Sequence, residues 1–63
     1  MDKMERHHYR GYWVVIERDG SGLRSLIYLP NSSQGIPGPQ SPDPTGRKTV
    51  LGRAKDLIDS GAV

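Results

Sequence analysis

Few side chains in this sequence have the type and spacing that chemistry demands, and the adjacent His7 and His8 come first. Neighbouring imidazoles can take a metal ion, but a selective site needs three or four fixed ligands, and no second set stands at a matching spacing. The pair is expected to be solvated, with no metal. Gly46-Arg47-Lys48-Thr49 has the look of the end of a phosphate-binding loop. That loop requires glycine directly before the lysine, where Arg47 stands, and an upstream glycine that this chain lacks. Nucleotide hydrolysis is therefore excluded. The carboxylates Glu17, Asp19, Asp43, Asp56 and Asp59 are scattered, each with an ordinary turn, cap or surface role, and no cysteine nucleophile exists. A pocket deep enough to shift a pKa is not expected at this size. The expectation is a protein that is not an enzyme, with no cofactor and no small-molecule substrate.

Two other groupings point to binding. Arg47, Lys48, Arg53 and Lys55 precede Asp56 and Asp59 along one predicted helix, an order opposed to the macrodipole. A helix start with free N–H groups beside Thr45, Arg47 and Lys48 is a candidate contact for an anion or an acidic partner. The bland alternative is a solvated face with a Lys55–Asp59 pair one turn apart. Further upstream, basic and aromatic residues interleave: Arg10, Tyr12, Trp13, Arg18, Arg24 and Tyr28. A sheet bearing such residues can stack bases and hold phosphates, or it can meet another protein. Arg10, Tyr12, Trp13 and Tyr28 are the candidate interface; the alternative use of the rings is to fill a core in a chain without phenylalanine.

The elements that must position these residues follow from pattern. Residues 1–8 are polar and mixed in charge, which predicts a flexible arm. Residues 9–29 read as a β-hairpin: an aromatic and β-branched run, then Asp19-Gly20-Ser21-Gly22 as the turn, then a second strand closed by Pro30. Alternation puts Tyr12, Val14 and Ile16 on one face and Trp13 and Val15 on the other. Both faces are thus partly apolar. Residues 30–43 are loop-like, and all five prolines fall between 30 and 44. Whether Gln34-Gly35-Ile36 adds a third strand is left open, and the proline-rich segment is itself a possible recognition element. Residues 44–60 are the predicted helix, with Asp43 as N-cap, Pro44 at the first position, and an apolar stripe of Val50, Leu51, Ala54, Leu57 and Ile58. Gly61 fits the stop. Gly52 inside the helix is expected to permit a close backbone approach.

At 63 residues the chain allows one domain, placed over residues 9–61, and a core of marginal size. Without cysteine, neither disulfides nor a thiolate zinc site can reinforce it, so packing or association with another chain must. Nine basic and seven acidic side chains give +2, permissive for nucleic acid but no basic face by itself. The first ten residues have no apolar run, and residues 12–16 are too short to cross a bilayer, so neither a signal peptide nor a membrane span is expected. A cytoplasmic protein is the expectation.

The pattern Tyr9-Arg-Gly-Tyr-Trp-Val-Val-Ile, Leu26-Ile-Tyr-Leu-Pro, Ser41-Pro-Asp-Pro and Ala54-Lys-Asp-Leu-Ile-Asp resembles a diffuse group of short uncharacterised bacterial β-hairpin-plus-helix proteins. The order strand, strand, proline-closed loop, helix is also similar to the first part of HicB-like antitoxin domains. That resemblance implies a partner toxin and, in some members, DNA. Tyr9-Arg10-Gly11 and the sheet-then-helix order resemble plant ethylene-response DNA-binding domains as well. No functional residue is carried over from any of these groups.

The reading is therefore an α+β fold, a two- or three-stranded antiparallel sheet packed against one C-terminal helix. The expected function is a small non-catalytic protein-interaction or regulatory module that self-associates as a dimer, with a different protein as the other partner left open. The alternative is a small nucleic-acid-binding protein using the basic helix start and the hairpin face.

Overall fold

Two tight turns set the register of the first three strands. In the computed structural model, which describes residues 4–63, Arg10 and Gly11 adopt φ values of 53° and 84°. Two successive positive values mark a type I′ turn, whose twist matches the strands it joins. It links β1 (Glu5–Tyr9) to β2 (Tyr12–Asp19), with Tyr9 opposite Tyr12. The second turn has positive φ at Gly20 (64°) and not at Ser21, the pattern of type II′. It joins β2 to β3 (Gly22–Tyr28), with Asp19 opposite Gly22. A longer connection, held by a 3.1 Å bond from the Ser32 N–H to the Leu29 carbonyl, leads to β4 (Gly35–Ser41). The sheet is antiparallel throughout, in the order β1-β2-β3-β4, and α1 (Arg47–Asp59) packs on one face.

Three sequence expectations are corrected here. The sheet has four strands rather than two or three. Residues 5–8 of the expected arm belong to β1, because Tyr9-Arg10-Gly11-Tyr12 closes a hairpin instead of continuing a strand; residues 1–3 lie outside the described residues. The segment read as a proline-rich loop contains β4, longer than the short strand left open around Ile36.

β4 accommodates its prolines because it is an edge strand with a bulge. Sheets admit proline where the missing N–H falls on an edge or an irregularity. Leu26 pairs with Pro37 and Arg24 with Gln40, so Ser25 alone faces both Gly38 and Pro39. The Ser25 hydroxyl, 3% exposed, donates to the Pro39 carbonyl at 2.7 Å, which satisfies a polar group at the break in the ladder.

The helix stripe forms as the sequence predicts. Val50, Ala54 and Ile58 are buried against Val14, Ile16, Leu23 and Ile27, with Leu51 and Leu57 packed at the margin. The helix begins three residues later than expected. Asp43 accepts from the Thr45 N–H (2.9 Å) and hydroxyl (2.8 Å), which closes a local turn, and Gly46 takes the N-cap position with no side-chain bond. At the other end Ala62 N–H reaches the Leu57 carbonyl (3.0 Å) and Gly61 N–H the Ile58 carbonyl (3.2 Å), with Gly61 at φ 77°. This is the Schellman arrangement expected of a glycine stop. Gly52 has open space where a Cβ would stand, so the expected close approach is absent.

Candidate functional site

Because α1 covers one face of the sheet, strand alternation sends every second side chain to the other, open face. The register aligns these side chains in rows. Trp13 pairs with His8 on one side and Tyr28 on the other; Val15 pairs with Arg6 and Leu26, and Leu26 with Pro37. Glu17 and Arg24 form the next row. The centre is apolar and aromatic and the rim charged, the anatomy of a protein contact surface.

Within the first row the His8 and Trp13 rings lie 4.7 Å apart, tilted by 30°. Tyr28 lies over Gly35, where a Cβ would come within 3.0–3.2 Å of the phenol. Trp13 is 45% exposed and Met4 63%. Beside them Val15 is only 6% exposed, sheltered by its taller neighbours. Trp13, Val15, Tyr28, Met4, Arg6 and Glu17 bound a shallow depression of about 340 Å³. In the charged row Arg24 Nη2 and Nε donate to Glu17 Oε2 at 2.8 and 3.1 Å, which raises the guanidinium pKa above its ordinary value.

The sequence-predicted site residues divide between the two faces. Trp13 and Tyr28 are brought together on the open face. Tyr12 points to the helix side, packs against the core and donates to the Val63 carbonyl at 3.1 Å. Arg10 sits in the first turn with Nη1 2.9 Å from Asp59 Oδ1. The candidate anion contact at the helix start also lies on the helix side, at a cleft of about 510 Å³ lined by Thr45, Arg47, Lys48 and Glu5. Two of its three groups are engaged by the chain's own carboxylates. Arg47 Nη1 donates to Glu5 Oε2 at 2.7 Å, and Thr45 donates to Asp43; Lys48 is exposed. Burial raises the Glu5 carboxyl, but hydrogen bonds from His7 and Arg47 outweigh it and hold the group below its ordinary value. The helix start and the Trp13 row therefore do not form one surface.

His7 and His8 point to opposite faces of β1, as neighbours in a strand must. His7 Nε2 is 3.1 Å from Glu5 Oε1, while His8 stacks on Trp13. Among the described residues no cluster of three or more potential ligands could hold a metal ion. Nor is any helix there long and apolar enough to cross a membrane.

Sequence reasoning missed Arg6 and His8, which β1 contributes to the open face, and Met4, which precedes the strand and borders the same depression. The available signals were the X-Gly pair between two tyrosines and the alternation of Arg6 and His8 with Glu5 and His7. Comparison with family models, curated proteins and solved structures returns no match to this chain.

Proposed function

We propose that this chain is a small, non-catalytic protein-interaction module of the cytoplasm, and that its working surface is the open face of the sheet. One observation carries the reading: the single tryptophan stands 45% exposed among Val15, Leu26 and Tyr28, with no element of the described residues over it. A chain without phenylalanine and with a small core has every reason to bury its largest ring. Placing it outside, beside methionine and arginine, matches the composition of contact surfaces and their energetic centres. The test is capture of partners from the native host by the wild-type chain and by Trp13→Asp, at high salt and after nuclease. A protein retained by the wild type and lost with Trp13→Asp supports the reading. Identical capture by both chains overturns it.

A second reading, single-stranded nucleic-acid binding, draws on the stacked His8–Trp13 pair with Arg6 and Arg24 on the same face. Affinity for an oligonucleotide that falls steeply with salt and is lost in Trp13→Ala supports it; absent or salt-insensitive binding removes it.

A further inference from the structure

We infer that the occupant of the open face is a second copy of this chain, related to the first by a two-fold axis running parallel to the strands, above the line between β2 and β3. This rests on the reading of the open face as the working surface. The argument is one of self-complementarity. A two-fold interface presents the same patch twice, so the patch must fit its own rotated image. Rotation about the proposed axis exchanges β2 with β3 and leaves the rows level. Trp13 then faces Tyr28 of the second copy, Val15 faces Leu26, and Glu17 faces Arg24, because those are the cross-strand pairs of the sheet. Aromatic meets aromatic, aliphatic meets aliphatic, and acid meets base.

The other in-plane axis, perpendicular to the strands, inverts the order of the rows. It sets Trp13 and Tyr28 against the Glu17–Arg24 pair, so rings no longer meet rings and each ion pair is desolvated with no second pair to complement it. The register thus selects one axis. Stacked sheets pack about 10 Å apart with strands rotated by about 30°, so the match is best near the axis, where Trp13, Val15, Leu26 and Tyr28 lie.

Size and charge agree with this occupant. A stable interface takes about 800 Å² from each partner. The body measures 30 × 21 × 15 Å with 4409 Å² of accessible surface, so one broad face can supply that area. The face carries Arg6 and Arg24 against Glu17 and Asp19, and Arg24 is already paired with Glu17 at 2.8 Å. A face so balanced in charge is a poor match for a phosphate backbone, whose binders neutralise many phosphates. In the dimer the Glu17–Arg24 pair of each copy instead closes an alternating ring of four charges.

The experiment is a charge swap read by sedimentation equilibrium on the full chain, with the far-ultraviolet spectrum as the check on folding. The wild type is expected to be dimeric at high micromolar concentration. Glu17→Arg and Arg24→Glu, taken singly, each set like charges face to face and are expected to raise the dimer dissociation constant about tenfold or more. Mixing the two single variants restores opposite charges on both sides, and the mixture is expected to regain the dimer as a heterodimer. Trp13→Ser removes the central ring and leaves a folded monomer, which keeps the test informative if a charge variant fails to fold. A wild type that stays monomeric, or single variants that dimerise as it does, overturns the inference. A monomer that still loses a captured protein on Trp13→Asp leaves the working surface in place and removes only the second copy as occupant. A monomer that instead shifts a single-stranded oligonucleotide in a salt-dependent manner assigns the face to nucleic acid and overturns the inference.

Discussion

The Tyr9 hydroxyl donates to the Asp59 carboxylate, 2.8 Å from Oδ2 and 3.0 Å from Oδ1, and so ties the end of β1 to the last residue of α1. Arg10 reaches the same carboxylate at 2.9 Å, and the Lys55 ammonium lies 5.2 Å from the centre of the Tyr9 ring. The bond from Tyr9 holds the Asp59 carboxyl below its ordinary value against the opposing effect of burial, with Arg10 and Lys55 adding to the lowering. The same bond, helped by burial, raises the Tyr9 hydroxyl.

Stability is therefore expected to fall at both ends of the pH scale. Asp59, Asp43 and Glu5 all have lowered pKa values, so the folded state binds fewer protons than the unfolded one in acid. Their contribution is present above the ordinary carboxylate range, about pH 4, and is lost as pH falls through the folded values. Tyr9 acts in the opposite sense: its contribution is present below about pH 10 and is lost as pH rises through the raised value. Melting temperature measured against pH should show both arms, with the alkaline arm reduced in Tyr9→Phe and in Asp59→Asn.

Two glycines should respond to alanine in opposite directions. Gly52 faces open space on the exposed side of α1, and Gly52→Ala is expected to stabilise the fold by up to about 1 kcal/mol through helix propensity. At Gly22 a Cβ would collide with the Ser41 carbonyl oxygen and the Pro42 backbone, so Gly22→Ala should cost about 1–3 kcal/mol. Urea midpoints of the two variants decide the matter.

Ser25 is expected to be the one buried polar side chain whose loss is felt. Ser25→Ala sets a methyl group beside the Pro39 carbonyl where a 2.7 Å bond now stands. The cost should be about 1–3 kcal/mol in urea, and amide exchange should quicken first along β4.

The two faces of the sheet should separate under mutation. Ile27 is fully buried on the helix side, and Ile27→Ala should cost about 2–5 kcal/mol. Trp13→Ser, on the open face, should change stability by about 1 kcal/mol or less, the scale of one cross-strand pair. Denaturation of both variants, beside their sedimentation, tests whether fold and association are carried by opposite faces.

The helix was legible because Val50, Leu51, Ala54, Leu57 and Ile58 repeat at the period of a helix and Gly61 supplies a left-handed stop. Its start was not, because Asp43 and Pro44 suit an N-cap and a first turn equally well as a separate turn. The central strands were legible from alternation, which separates Trp13 from Tyr12, whereas the face of Tyr28 follows only from the register that pairs it with Trp13. β1 was hidden by its composition, Glu-Arg-His-His-Tyr, which is polar because no further strand flanks it. The turn before β2 was hidden too, since Arg10 in a left-handed conformation is uncommon. β4 was hidden by prolines that only an edge tolerates. With β1 unseen, Arg6 and His8 could not be assigned to the open face, and the basic helix start was grouped with aromatics that stand across the sheet from it.

The position of the lone tryptophan also makes the molecule its own optical reporter. The helix-side core contains no indole; Tyr9 and Tyr12 are the rings packed at its border. Emission excited selectively in the indole band therefore samples the open face, shifting to the blue when water is displaced from Trp13. With Tyr28 of the open face replaced by phenylalanine, tyrosine emission samples the side where the helix is fastened. Contact and melting can thus be followed in two colours on the unlabelled chain.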